Sequence, residues 1–404
     1  LIAMGLEQVL DYLTHLQFSP EHITALQATG IFNHVPDRFW TLLATATFTG
    51  DVWAVPEGTA IFANEPILRV EAPLWQAQLV ETYLLNTINY QTLIATRAAR
   101  LRDVAGPQAT LLEFGTRRAF SPQAALWAAR AALAAGFDAT SNVLAALQLG
   151  RNPSGTMAHA LVMALTALEG SEPQAFAAFH RYFPQAPLLI DTYDPIAAAR
   201  QLAEQVNTGL LNLAGVRLDS GDLVTLSQQV KQLMPTVPIF ASGDLDEYRI
   251  AELQAAGACI QGYGIGTKLV TGDPVNGVYK LVEIDNIPVM KEASGKVTYP
   301  GRKQIMRRYD HGTVIGDRLC LADEVDGDAQ ARADDELPLL QLVYQAGKRL
   351  QPPESLATIA QRTAQSVASL PPTTRCLQQA SSPPVEISPN LQTLTNATRR
   401  VVAT

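Results

Sequence analysis

The chain has 404 residues, of which 47% are hydrophobic and 17% charged, and its formal net charge is −8. That length exceeds what one compact core usually spans, so two domains are expected, and the acidic balance offers none of the basic field that nucleic-acid backbones require. Cys259, Cys320 and Cys376 fit neither a disulfide framework nor a zinc site, and no apolar run is long enough to span a bilayer. A cytoplasmic, reducing setting is therefore expected, with no nucleic-acid or membrane partner.

In chain order, residues 5–17 and 20–29 have amphipathic helical spacing, with Leu6, Val9, Leu10 and Leu13 on one face. From Phe48 the pattern changes to short strands and turns at 49–55, 59–62 and 67–70, spaced like hairpins. Residues 74–104 read as one long helix.

Between Thr110 and Thr267 a single theme repeats: an apolar run of strand length, a small polar cluster, then a helical stretch. Residues 110–114 lead to Gly115, Thr116, Arg117 and Arg118, residues 136–140 to Ser141 and Asn142, and residues 188–190 to Asp191 and Thr192. Residues 215–218 lead to Asp219, Ser220, Gly221 and Asp222, residues 238–241 to Ser242, Gly243 and Asp244, and residues 260–263 to Gly264, Gly266 and Thr267. Serial strand–helix units build a parallel sheet, and the polar clusters fall at the carboxyl ends of its strands, where barrels and open sheets bind ligands.

Antiparallel spacing returns at 277–284, 288–291, 296–299 and 304–309, as if one sandwich domain were built from both ends of the chain around the alternating region. Residues 324–330 read as a loop. The proline-rich remainder, from Leu337 onward, reads as ordered but irregular.

Three clusters carry chemistry. Residues 152–159 precede an apolar helix at 160–168, with Pro153, Ser154 and Gly155 at its start, so His159 falls in the first turn. There the helix dipole favours a neutral, nucleophilic imidazole, and free backbone N–H groups can hold an incoming phosphate. From this segment alone a capping or core histidine is the commoner outcome. His15, His22, His34, His180 and His311 have no convergent polar neighbours in sequence.

Arg117 and Arg118 can grip carboxylate or phosphate oxygens as forks, or form a structural ion pair with Glu113 or a neighbouring aspartate. In residues 216–222, strand alternation puts Arg217 and Asp219 on one side. An arginine and two carboxylates could clamp an anionic ring substituent, with Asp219 and Asp222 holding Mg²⁺ through water. The bland alternative is a helix cap at Asp219 and Ser220. The glycine-bearing turns at Gly243 and at Gly262, Gly264 and Gly266 let backbone N–H groups approach phosphate, without forming a dinucleotide fingerprint.

In this order, Leu112-Glu-Phe-Gly-Thr-Arg-Arg118, Gly136-Phe-Asp-Ala-Thr-Ser-Asn-Val143, Ser154-Gly-Thr-Met-Ala-His159, Gly215-Val-Arg-Leu-Asp-Ser-Gly-Asp-Leu223, Ala241-Ser-Gly-Asp-Leu-Asp-Glu-Tyr248 and Gly277-Val-Tyr-Lys-Leu-Val282 resemble the nicotinate phosphoribosyltransferases. The likeness extends to residues 49–58, 300–304 and the tail. It implies an irregular parallel α/β barrel inserted in an α+β sandwich domain. On the present sequence that gives 1–108 and 277–335 to the sandwich, 109–276 to the barrel and 336–404 to a helical and irregular tail packed on the body. It also implies a homodimer.

The implied reaction joins nicotinate and phosphoribosyl pyrophosphate into nicotinate mononucleotide and pyrophosphate, with ATP as co-substrate and Mg²⁺ on the leaving group. The resemblance makes His159 the residue phosphorylated by ATP and sets Arg217 and Thr156 against nicotinate. Thr267 becomes a phosphate-binding residue with Gly243, Asp244, Gly264 and Gly266 beside it. Arg117, Arg118, Ser141, Asp191 and Ser242 complete the expected substrate rim, and Asp219 or Asp191 would orient His159. Family members begin with a short segment whose tyrosine stacks on the pyridine ring, and this sequence starts after it. Displacement at the anomeric carbon through an oxocarbenium-like state would rest on positioning and charge stabilisation. The rival readings are a nicotinamide phosphoribosyltransferase, an inactive dimerising scaffold, and a phosphosugar aldolase or isomerase using Lys268 or Lys280.

Overall fold

The repeating strand–helix pattern becomes one parallel sheet. In the computed structural model of the chain, which describes residues 1–293, 296–326 and 335–402, its six strands stand in the order Ala139–Thr140, Thr110–Glu113, Gly262–Ile265, Ile239–Ala241, Val216–Leu218 and Leu188–Leu189. The strands are short, so packing rather than ladder length holds them. Leu111, Leu188, Val216, Leu218, Ile239 and Ile265 are wholly buried, and burying each such side chain stabilises by roughly 1.5–3 kcal/mol.

Side-chain caps fix where the following helices begin. Ser121, Asp194, Asp222 and Asp246 each accept backbone N–H groups from the first turn of Pro122–Ala134, Pro195–Asn207, Leu223–Leu233 and Glu247–Ala255.

One strand lies two residues beyond its expected place, at Gly262–Ile265 rather than 260–263. Gly264 is therefore inside the sheet, not in the turn after it. A β-carbon would stand 2.5 Å from the Phe240 ring at Gly262 and 2.4 Å from the Phe114 ring at Gly264. Both glycines make room for aromatic packing, a need that local sequence does not display.

The chain forms two compact units. Leu93–Asp273 and Leu356–Val367 make the one that holds the parallel sheet, and Leu1–Thr92, Pro274–Ser355 and Ala368–Thr404 make the other. The second contains two four-stranded sheets, ordered Lys348–Arg349, Gln341–Gln345, Asp51–Ala54, Leu68–Glu71 and Glu336–Pro338, Lys303–Asp310, Thr313–Leu321, Val385–Ile387. Ile305 and Leu319 of one sheet share a core with Val55, Leu339, Leu340 and Leu391, against which Trp53 of the other sheet packs. The helix Leu6–Thr14 buries Val9, Leu10 and Leu13 against Phe48, Val52 and Tyr344.

Several local expectations change here. Residues 59–62 form only the bridge between Ile2 and Ala60, and the helix expected over 74–104 is two, Leu74–Leu79 and Glu81–Ala105. The stretch 277–284 keeps a strand only at Glu283–Ile284, paired with Ile287–Pro288, and Glu292–Ala293 pairs with Lys296–Val297. Asp323–Asp326 is a single helical turn, while residues 327–330 of the expected loop lie outside the described residues.

The tail is not merely helical and irregular. Gln341–Gln345 pairs antiparallel with Asp51–Ala54, Glu336–Pro338 antiparallel with Lys303–Asp310, and Val385–Ile387 parallel with Thr313–Leu321. Val52 lies 292 residues before its partner Tyr344, and such pairing leaves no local signature.

The paired strands of this unit hold a buried arginine whose guanidinium is saturated. Arg307 forks onto Asp317 (Nε to Oδ1 2.9 Å, Nη2 to Oδ2 2.7 Å), donates through Nη1 to the Ala60 carbonyl at 2.6 Å, and lies 4.9 Å from the Phe62 ring centre. Glu65 stands 3.9 Å from the same guanidinium. Burial, then hydrogen bonding to Asp317, pushes its carboxyl up to about 9.

Candidate active site

The turn after Val216–Leu218 is shaped from the neighbouring strand. Asp191 Oδ2 accepts from the backbone N–H of Asp219 at 2.6 Å and of Ser220 at 2.8 Å, and from the Ser220 hydroxyl at 3.1 Å. The clamped turn presents the Asp219 carboxylate between two basic side chains. Its Oδ1 accepts from Ser242 Oγ at 2.5 Å and lies 3.9 Å from Arg217 Nη2, while its Oδ2 lies 3.7 Å from His159 Nε2. The other ring nitrogen, Nδ1, is 3.1 Å from Thr192 Oγ1. Gly243 lets this arrangement close: its φ is +91°, and a β-carbon there would stand 2.1 Å from the Asp219 carbonyl oxygen.

The rim carries unmatched charge. Burial depresses the pKa of Arg217, with Asp219 and Asp191 opposing that shift and the nearby Arg117 cation adding to it. Arg217 Nε and Asp191 Oδ1 are buried without a hydrogen-bond partner. A buried donor left unpaired is costly, so a guanidinium with an idle N–H beside a second cation is poised for an anion.

Glu113 organises an adjoining cluster that sequence reasoning assigned only as an ion-pair partner. Its wholly buried carboxylate accepts from the Gly115 N–H and from Thr140 Oγ1, and its backbone carbonyl accepts from Ser141 N at 3.0 Å and Oγ at 3.1 Å. Asn142 Nδ2 reaches Thr116 Oγ1 at 3.2 Å. Burial raises the Glu113 pKa, against the pull of Thr140 and Gly115. Neither Arg117 nor Arg118 pairs with Glu113; both are exposed. The signal for Glu113 was its place two residues before the polar cluster, on an otherwise apolar strand.

The segment before His159 has no regular secondary structure, and the helix begins at His159 itself, after Ala158 in extended conformation, rather than at Pro153, Ser154 and Gly155. Ser154 N donates to the Thr140 carbonyl at 2.9 Å and Thr156 Oγ1 to the Pro187 carbonyl at 2.7 Å. One segment thus touches the ends of both edge strands of the sheet. Thr192 and Ser220 join the site without having been singled out for it.

Asp222 stands apart. It is the cap of Leu223–Leu233, accepting from Val224 N, Thr225 N and Thr225 Oγ1 at 3.1, 3.3 and 2.6 Å. The cap therefore belongs to Asp222, not to Asp219 and Ser220. Among the described residues no group of three His, Cys, Asp or Glu could hold a metal ion. Asp244 follows Gly243 in a left-handed conformation (φ 50°), and Gly266 and Thr267 lead into the turn Thr267–Val270. Lys268 and Lys280 are exposed, so neither is the buried amine an aldolase needs.

Models of the N-terminal domain, the central family region and the C-terminal domain of nicotinate phosphoribosyltransferase match residues 1–89, 109–293 and 330–395. Nicotinate phosphoribosyltransferase of Mycobacterium tuberculosis is 40% identical over 401 residues, covering 96% of this chain and 83% of its own. The chain belongs to the nicotinate phosphoribosyltransferase family. The Bacillus subtilis nicotinate phosphoribosyltransferase is 42% identical over 339 residues, 79% of this chain and 68% of that protein. The crystal structure of human nicotinic acid phosphoribosyltransferase superposes with a TM-score of 0.83 at 30% identity, covering 98% of this chain and 91% of the human one. Among the described residues, no helix is long and apolar enough to cross a membrane.

Proposed function

We propose that this family member transfers phosphoribosyl from phosphoribosyl pyrophosphate to nicotinate, giving nicotinate mononucleotide and pyrophosphate for NAD salvage, with ATP as co-substrate. The observation that carries the site assignment is the partly buried, incompletely paired Arg217, its Nε buried without a partner, with Arg117 beside it. A carboxylate on the ring matches that guanidinium, whereas the neutral amide of nicotinamide does not. Arg217 orients the base so that its ring nitrogen faces the anomeric carbon. Asp191 and Ser242 hold Asp219 in place, and Arg117, Arg118, Ser141, Thr156, Gly243, Asp244, Gly264, Gly266 and Thr267 line or shape the rim.

His159 is the phosphoryl acceptor in this reading. Its ring is partly exposed, faces Asp219, and stands at the first residue of a helix in which the Leu161 and Val162 N–H groups donate to the Ala158 carbonyl, leaving those of His159 and Ala160 for a phosphate. The acidic inventory suits magnesium that arrives on substrate phosphates, with Asp219 the available protein carboxylate and Asp222 spent on its cap. Bound there, the ion would neutralise the leaving pyrophosphate.

The parallel sheet reads as an irregular barrel closed by residues 151–158, which reach both edge strands, and the shared core of the two four-stranded sheets supports a sandwich built from both ends of the chain, whose strands Glu336–Pro338, Gln341–Gln345, Lys348–Arg349 and Val385–Ile387 lie beyond the expected limits of 1–108 and 277–335. A cytoplasmic homodimer completes the proposal. The helix His159–Glu169 buries only Val162 and leaves Leu161 and Leu168, seven residues apart on one face, exposed at 39% and 81%, an apolar stripe suited to a second copy.

Pyrophosphate release from purified protein given nicotinate and phosphoribosyl pyrophosphate, with and without ATP, tests the reaction. Release that requires nicotinate and is stimulated by ATP, with acid-labile label on His159, is expected. Release that is absent under all conditions would exclude the proposal in favour of an inactive scaffold.

A further inference from the structure

Thr192 was not among the expected site residues, yet it makes the only hydrogen bond that a described side chain makes to the His159 ring, at 3.1 Å from Nδ1. Asp219 Oδ2 faces the opposite nitrogen at 3.7 Å. These two neighbours differ in what they can do. A carboxylate only accepts, whereas a threonine hydroxyl both donates and accepts. With the carboxylate on the Nε2 side, the neutral ring keeps its proton on Nε2, and Nδ1 carries the lone pair. The Thr192 hydroxyl then donates to Nδ1. Asp219 cannot swing away, because Ser242 Oγ holds its other oxygen at 2.5 Å and Asp191 clamps its backbone N–H at 2.6 Å. Thr192 follows Asp191 directly, so one short segment fixes both ends of the imidazole.

We infer that Thr192 is a positioning residue for phosphoryl transfer to His159: its hydroxyl selects the tautomer with the lone pair on Nδ1 and passes its hydrogen bond to the phosphoryl group as that group arrives. This rests on the phosphohistidine reading given above. In the step, the Nδ1 lone pair forms the N–P bond and the terminal P–O bond of ATP breaks. ADP leaves with that electron pair. The Nε2 proton stays on the ring, whose new positive charge is paired by Asp219. The Thr192 proton is never transferred; only its acceptor changes, from Nδ1 to a phosphoryl oxygen.

The test compares the full chain with Thr192→Val, which keeps shape and loses the hydroxyl, and Thr192→Ser, which keeps the hydroxyl. Label transfer from γ-labelled ATP to His159 is followed over pH, and the ring tautomer is read from ¹⁵N shifts of His159. Thr192→Val is expected to slow labelling roughly 3- to 10-fold, the effect of one hydrogen bond, and to mix the tautomers. Thr192→Ser restores both. No label on the wild-type chain removes the phosphohistidine reading itself, and the inference with it. If the wild type labels but Thr192→Val labels equally fast with the same pH profile, or if serine fails to rescue, the role of Thr192 is overturned while the reading stands. Should the valine variant not fold, the wild-type spectrum still decides: a ring protonated on Nδ1 and not on Nε2 contradicts the inference.

Discussion

Two arginine–carboxylate groups in this protein have the same ingredients and opposite designs. Arg307 with Asp317 is buried and saturated: a two-point fork at 2.9 and 2.7 Å, a carbonyl on the remaining nitrogen and an aromatic ring alongside, with Glu65 3.9 Å off. Arg217 with Asp219 and Asp191 is left incomplete: its nearest carboxylate oxygen is 3.9 Å away and its Nε has no partner. The electrostatic consequences diverge accordingly. For Arg307 the hydrogen bonds and charges of Asp317 outweigh burial and raise its pKa, whereas for Arg217 burial outweighs Asp219 and Asp191 and lowers it. A saturated group has nothing to offer a ligand and serves the fold. An unsaturated one, held rigid by its neighbours, serves binding.

The largest expected effect lies on the saturated side. Asp317→Ala strands a buried guanidinium and should cost about 3–5 kcal/mol of unfolding free energy in denaturant titration. A loss below about 1 kcal/mol would mean the network is less saturated than its geometry states.

A smaller effect comes from Glu65. Its carboxyl is raised from the ordinary 4.5 to about 9 by burial first, so the folded state holds a proton that the unfolded chain releases. The stabilisation is complete below the unfolded value and drains away as pH rises toward the folded one. Glu65→Gln should flatten that slope, melting increasingly above the wild type as pH is raised across this window. Parallel pH curves for the two proteins would refute it.

The smallest effect belongs to Asp222. Thr225 and the first-turn N–H groups hold its carboxyl below the usual range. The cap therefore contributes above the unfolded pKa and weakens as pH falls through the folded one. Asp222→Ala should lower the melting temperature slightly at neutral pH and leave the Mg²⁺ dependence of turnover unchanged. A shifted Mg²⁺ optimum would return Asp222 to the metal.

The same contrast explains what could be read from the sequence. The parallel sheet and most of the rim were legible because each strand ends in its own polar cluster within a few residues, as Arg217, Asp219 and Asp191 do. The saturated network was not. Arg307 and Asp317 face each other across strands whose second member, Thr313–Leu321, has no strong local alternation, and Glu65 arrives from far earlier in the chain. Glycines misled in one place: Gly262 and Gly264 punctuate the sequence like a turn, but they clear space for Phe240 and Phe114, which only the assembled sheet brings near. Thr192 was passed over because a lone threonine after an aspartate carries no signal until the histidine 33 residues earlier is seen to lean on it.

In the proposed function Arg217 is the group that reads the base's carboxylate. Turnover of nicotinate and of nicotinamide should be measured side by side, on the wild type and on Arg217→Ala. Wild-type kcat/KM should favour nicotinate strongly, and the substitution should cost about 10²–10³-fold with nicotinate while changing nicotinamide turnover little, so that the preference collapses. A preference for nicotinate that survives intact in Arg217→Ala would contradict it.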